Sequence, residues 1–149
     1  MVDETVIGKR YPGYSFPIER GKIREFAIAC MTKNPEYVEN KTPVVEPTFL
    51  TTSNFWMSGA TSPLAQVGID LKRLLHGGQE YVFHGVPPRA GTELTMQTRI
   101  DKIYEKEGKR GGTMTFVETV TEFRDPDGKL VAEARSTAIE TGQAPTEAK

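Results

Sequence analysis

Hydrophobic and polar positions fall into two regimes along the chain. From Arg20 to Met31 the apolar residues Ile23, Phe26, Ala27 and Cys30 recur at helical spacing, with Lys22, Arg24 and Glu25 between them. This predicts a helix. The run Phe26–Met31 is apolar almost all round, which predicts a buried helix end and a buried Cys30. Asn34-Pro35 is a turn signal that predicts the helix stops near Lys33. Pro43 to Pro47 reads as extended or turn. Thr48 is positioned to cap a second helical segment, roughly Phe49 to Met57, dense in aromatics. Ser58 to Gly68 is a Gly/Ser/Thr/Pro-rich loop, and Ile69 to Leu75 is weakly helical or extended.

Further on the spacing shortens to two. Gln79–His84 reads as a first strand and Leu94–Tyr104 as a second, in which Ile103 breaks the parity of Leu94, Met96 and Ile100 and predicts a bulge. Thr113–Arg124 is a third strand, rich in Thr, Val and Phe. Asp125-Pro126-Asp127-Gly128 is a turn by its chemistry. Leu130–Glu140 is a fourth strand, apolar on both parities and therefore expected inside the sheet. Tyr14–Glu19 is a short extended piece for an edge. Residues 1–10 form a polar arm, and the tail from Thr141 is expected to be disordered. A helical front half followed by hairpin-linked strands makes an α+β fold, and 149 residues make one domain.

Composition narrows the function. With 19 Lys+Arg against 20 Asp+Glu there is no basic field for nucleic acid or a membrane surface. No apolar run approaches the ~20 residues of a membrane span. The N-terminus is too acidic for a signal peptide, so a cytoplasmic protein is expected. No Gly-rich phosphate loop or zinc-spaced Cys pair occurs, so no metal or cofactor is expected. His76 and His84 on one continuous strand would stand roughly 26 Å apart, too far to share a metal.

Candidate chemistry is sparse. His76 precedes Gly77-Gly78, where backbone is able to approach a ligand; it is either a polar group or base at a substrate channel or a surface histidine. His84, at a strand end, reads as structural. Phe55 and Trp56 either line an apolar tunnel or fill the core. Glu118, between Phe116 and Val120, reads as a solvated strand face.

Together these pieces resemble the MaoC-like dehydratases and (R)-specific enoyl-CoA hydratases, in particular their N-terminal, FAS1-like dehydratase branch. The segments that carry the resemblance are Asn34-Pro35-Glu36-Tyr37, Glu46-Pro47-Thr48-Phe49-Leu50, Leu75-His76-Gly77-Gly78-Gln79-Glu80-Tyr81 and Pro88-Arg89-Ala90-Gly91-Thr92-Glu93-Leu94. The resemblance runs from about Tyr14 to Thr141. It implies a hot-dog fold, an antiparallel sheet wrapped around a central helix, pairing into a double hot-dog dimer. It also implies an acyl-CoA or acyl-ACP substrate hydrated or dehydrated across its 2,3 bond. The family's catalytic motif has the form Gly-Asp-x-Asn-Pro-x-His. Aligned on Asn34-Pro35, its Asp position holds Thr32 and its His position holds Tyr37, so the dyad is missing and no catalytic residue is expected. By the same resemblance a second hot-dog subunit would supply the dyad, while Pro47, Thr48, Phe49, Phe55, Trp56, Leu75, His76, Gly77 and Gly78 would line the acyl site. The aromatic helix suggests a bulky or long acyl group. Two alternatives stay open: a self-sufficient homodimeric hydratase or thioesterase using His76, Glu80 or Glu46, and a non-enzymatic acyl-CoA-binding module.

Overall fold

A computed structural model describes residues 2–57, 62–108 and 112–142. Five antiparallel strands form one sheet: β1 (Tyr14–Pro17), β2 (Leu74–Phe83), β3 (Glu93–Glu107), β4 (Thr113–Arg124) and β5 (Leu130–Glu140), in the order β1-β3-β4-β5-β2. The helices are α1 (Arg20–Ala29), α2 (Pro35–Val38) and α3 (Pro63–Gln66), with 3₁₀ turns at Glu4–Val6 and Leu71–Arg73 and a longer 3₁₀ helix over Phe49–Trp56. This is the hot-dog arrangement. β5 lies inside the sheet, between β4 and β2. Of the tail expected from Thr141, Thr141 is tied down, its N–H donating to the Arg73 carbonyl at 2.9 Å; residues 143–149 lie outside the described residues.

The strands follow from local chemistry. Gly128 at φ 82° closes the β4–β5 turn, its N–H donating to the Asp125 carbonyl at 2.9 Å. Asp125 Oδ1 accepts from the N–H groups of Asp127 and Lys129, at 3.1 and 2.9 Å. The register of β3 against β4 shifts between Ile100 and Lys102; this bulge returns Ile103 to the inner face, 8% exposed. β2 begins earlier than Gln79. His76 and Gly78 both join the ladder to β5, and a second bulge absorbs Gly77. The polar arm is tied down: Asp3 donates to the Val67 carbonyl, Gly8 to Ile100 and Tyr11 to Thr98.

Three expectations about the front half are corrected. α1 ends at Ala29, not near Lys33. Thr32 N–H donates to Ala27 O at 3.1 Å and Met31 N–H to Ile28 O at 2.9 Å, with Met31 at φ 58°. These bonds close the helix in a Schellman turn. Asn34-Pro35 instead starts α2: Asn34 caps it, accepting from Glu36 N–H at 3.0 Å, and Pro35 takes the first helical position. Cys30 is exposed, because the buried stripe of α1 stops at Ile23 and Ala27; Ile28 and Met31 beside it are 51% and 86% exposed. Thr48 makes no side-chain cap. It lies within the turn at ψ 3°, whereas a cap needs extended backbone, and the Glu46 carbonyl receives the Phe49 N–H instead. The segment that follows winds as 3₁₀ through Thr51-Thr52-Ser53-Asn54, residues of low α-helix propensity.

The core has two parts. One holds Phe16, Ile23, Phe49, Leu50, Met96 and Phe123; the other holds Tyr11, Val67, Ile69, Ile100, Ile103 and Val117. Phe16 stands 5.5 Å from Phe123 and 6.4 Å from Phe49, ring centre to ring centre. This aromatic contact locks the 3₁₀ helix onto the sheet.

Candidate functional site

The gap between the two core parts is built into the strands. Along the inner face β3 reads Leu94, Met96, then Thr98, then Ile100 and Ile103. β4 reads Val117, then Thr119 and Thr121, then Phe123, and β5 reads Ala132, Ala134, Ser136, Ala138. The register sets Thr98 opposite Thr121, Thr119 opposite Ser136, and Ser136 opposite Gln79. A polar band therefore crosses four strands in the middle of an otherwise apolar face. Above it, Leu50 and Ser53 of the 3₁₀ helix, Met57 just after it, and Pro63 and Leu64 of α3 line an open-sided cavity of about 530 Å³.

Inside it, the Thr98 and Thr121 hydroxyls share a hydrogen bond of 2.8 Å. Gln79 Nε2 donates to the Arg135 carbonyl at 3.1 Å. The hydroxyls of Thr119 and Ser136 have no hydrogen-bond partner among the described residues. Of the lining side chains described, His76 and Tyr81 are the ionisable ones, and none is an Asp, Glu, Lys, Arg or Cys.

The Asn34-Pro35 turn is anchored elsewhere. Glu36 accepts from Asn40 Nδ2 at 2.8 Å, from Val44 N–H at 3.0 Å and from Arg89 Nη1 at 2.9 Å. The Val44 bond and then the Asn40 bond hold its carboxyl below the usual range; burial opposes them, and Arg89 adds a lesser pull in the same downward direction. Arg89 also donates to the Thr42 carbonyl, and Val44 bridges to Arg89. Two segments far apart in sequence thus form one clasp. Thr32 Oγ1 accepts from Asn34 N–H at 3.4 Å, and Tyr37 packs half-buried against the first core part. Neither lines the cavity.

Of the nine side chains or glycines named for an acyl site, His76 lines the cavity. Phe49, Phe55 and Trp56 border a separate hollow of about 140 Å³ beside Phe16 and Lys22. Pro47 and Thr48 are exposed. Leu75, opposite Ile139, faces the outer side of the sheet, and Gly78 borders an outer groove. Gly77 is the bulge residue. The sequence reading missed Thr98, Thr119, Thr121, Gln79 and Ser136; threonine-rich strands were the available sign, but only the register assembles them.

The outer face carries paired charges. Burial opposes ionisation of Glu122, yet Arg10 at 3.2 Å and Arg124 at 2.9 Å outweigh it and keep the carboxyl low. Burial likewise opposes ionisation of Glu133, and His84 at 2.8 Å with Arg135 at 3.2 Å reverses the balance. Glu118 accepts from Tyr104 at 2.9 Å and faces Lys102 at 3.3 Å. Glu80 pairs with Arg135 on this same side. Glu46 differs: it is 6% exposed, and burial pushes its carboxyl up. Among the described residues, no group of three or more His, Cys, Asp and Glu side chains is arranged to hold a metal, and no helix is long and apolar enough to cross a membrane.

The family of the FAS1-like dehydratase domain region matches residues 5–134. The chain belongs to this family. A UPF0336 protein of Streptomyces coelicolor is 31% identical over 116 residues, covering 72% of this chain and 77% of that one. Another, from Mycobacterium tuberculosis, is 29% identical over 138 residues, covering 86% and 79%. Among solved structures, the C-terminally truncated HadBC (3R-hydroxyacyl-ACP dehydratase) complex of Mycobacterium tuberculosis matches at 26% identity and TM-score 0.69, over 87% of this chain and 92% of that one. The ChsH1-ChsH2 complex of the same organism matches at 15% identity and TM-score 0.71, over 93% and 88%, and so shows the shared fold alone. A MaoC-like dehydratase matches at 20% identity and TM-score 0.76 over 92% of this chain; the match spans 42% of that longer protein and again shows the fold. These likenesses show that the chain shares its hot-dog fold with dehydratases and hydratases of known structure.

Proposed function

We propose that this chain is the acyl-accommodating subunit of an enoyl-thioester hydratase, or 3-hydroxyacyl-thioester dehydratase, and that a second hot-dog subunit supplies the Asp/His dyad. The observation that carries this reading is the cavity itself: about 530 Å³, roofed by apolar side chains such as Leu50, Met57 and Leu64 interleaved with the neutral polar Thr51, Ser53 and Asn54, with no carboxylate among its described lining. Adding water across a double bond requires a base for the nucleophile and an acid for the α-carbon. His76 alone, without a carboxylate to orient it or share its proton, does not make that pair. Thr32 and Tyr37, at the dyad positions by alignment, are poor bases near pH 7. Support for a partner comes from the HadBC and ChsH1-ChsH2 structures, both complexes of two named chains. By this reading the substrate is an acyl-CoA or acyl-ACP, and the chain acts as one half of a double hot-dog dimer.

The test is a hydration assay on enoyl-CoA substrates. The purified chain alone is expected to show no turnover, and co-expression with a hot-dog chain bearing the Asp-x-Asn-Pro-x-His pattern is expected to restore it. Turnover by this chain alone at the ordinary ~1–10³ s⁻¹ of enzymes refutes the proposal. Loss of that turnover in His76→Ala would then favour the self-sufficient reading, for which the placement of His76 on the cavity is the one supporting observation.

A further inference from the structure

We infer that the acyl group held in this cavity carries a neutral hydrogen-bonding oxygen, such as a hydroxyl, keto or ether oxygen, beyond its reacting carbons. This inference rests on the reading of the cavity as an acyl site. A plain alkyl chain is recognised by apolar walls. Here the floor is two cross-strand rows of polar side chains, Gln79–Ser136–Thr119 and Thr121–Thr98. These hydroxyls are not required by the sheet. Immediately along the same strands and on the same face, Ile100, Ile103 and Val117 fill the equivalent positions. Val has the shape of Thr without the hydroxyl, and it suits a buried strand equally well.

The hydrogen bonding is left open on the cavity side. Thr98 and Thr121 share one hydrogen bond and Thr98 Oγ1 also donates to Met57 Sδ at 4.0 Å, so that row is paired within the chain and the open groups are those of the neighbouring row. Thr119 and Ser136 face each other across β4 and β5, and neither hydroxyl has a partner among the described residues. An alkyl chain displacing water from this floor would leave these groups desolvated and unpaired, which is costly. An oxygen on the chain would pair with them. The charge state of that oxygen is set by the lining as well: with no Lys or Arg among the described lining residues, an anionic group would be buried there without a counter-charge, so the oxygen is a neutral one.

Calorimetric titration of the full chain, in the assembly in which it purifies, tests this. The probes are dodecanoyl-CoA and its 6-, 8- and 10-hydroxy derivatives. At least one hydroxylated probe is expected to bind about tenfold tighter than dodecanoyl-CoA. In Thr119→Val with Ser136→Ala that preference should shrink to within about twofold, with dodecanoyl-CoA bound at least as well as before. The Thr119→Ser variant, which keeps a hydroxyl, should retain the preference and controls for loss of folding. Equal or tighter binding of dodecanoyl-CoA than of every hydroxylated probe, or a preference that survives the double substitution, overturns the inference while the acyl-site reading stands. If none of the four thioesters binds, the acyl-site reading fails and this inference falls with it.

Discussion

Gly77→Ala isolates the bulge that shapes one wall of the cavity. A Cβ at this position would lie 2.7 Å from Ile139 Cδ1, 2.9 Å from Ile139 Cγ1 and 3.1 Å from the Thr137 carbonyl oxygen. The first two distances are well inside van der Waals contact, so Ile139 must shift or β2 must move away from β5. Overpacking by one methyl costs about 1–3 kcal/mol. Gly77 is not at positive φ, so alanine also restricts the unfolded chain, a gain of about 0.4–1 kcal/mol. The expected net loss is about 0–2.6 kcal/mol, centred near ~1 kcal/mol, or up to roughly 10 °C in Tm for a chain of this size. Thermal unfolding followed by circular dichroism measures it. Ile139→Ala removes both close side-chain atoms and leaves only the carbonyl contact. In that background the same Gly77→Ala change should be neutral or stabilising, a coupling of about 1 kcal/mol or more. Equal Tm losses in the two backgrounds, or a higher Tm for Gly77→Ala alone, would refute the steric account of the bulge.

Two further outcomes follow from burial. Phe49→Ala empties the centre of the first core part and should cost about 3–5 kcal/mol, whereas Phe55→Ala, at a side chain 79% exposed, should stay within about 0.5 kcal/mol of the parent in urea titrations. Glu46 has its carboxyl pushed up by burial, so the folded state resists its ionisation; stability drops as pH rises from the unfolded value of about 4.3 through the raised folded one, and the loss persists at neutral pH. Glu46→Gln should therefore raise Tm at pH 7 with the gap closing below about pH 4, and a gap independent of pH would contradict this.

The strands β3, β4 and β5 were legible because period-two alternation and the Asp125–Gly128 turn are local signals. Even the bulge near Ile103 showed as a break in parity. The end of α1 was not legible, because the residue at positive φ is Met31 and carries none of the glycine signal of a Schellman turn. Asn34-Pro35 was read as a stop because the same two residues serve as stop and start: asparagine before proline ends one helix, and also caps the next with proline at its first position. The clasp of Glu36 on Arg89 spans 53 residues, and the polar band needs four strands in register. In the sequence the band is only a set of threonines with good strand propensity.

The bulge at Gly77 also decides what chemistry the cavity lacks. On a regular strand His76 and Glu80, four residues apart, would point to the same side of the sheet. A carboxylate would then stand on the same face as the imidazole. One extra residue in β2 reverses the parity between them. His76 lies opposite Ala138 and faces the cavity, while Glu80 lies opposite Arg135 and joins the outer ion pairs. The other acidic candidate, Glu46, is buried beside Val45 and Phe49, away from the cavity lining. Among its described lining residues the cavity thus combines hydroxyl and amide groups with a single imidazole and no carboxylate. Such a lining is suited to holding and orienting a substrate more than to moving its protons. Strand parity, altered by one glycine, is the physical reason.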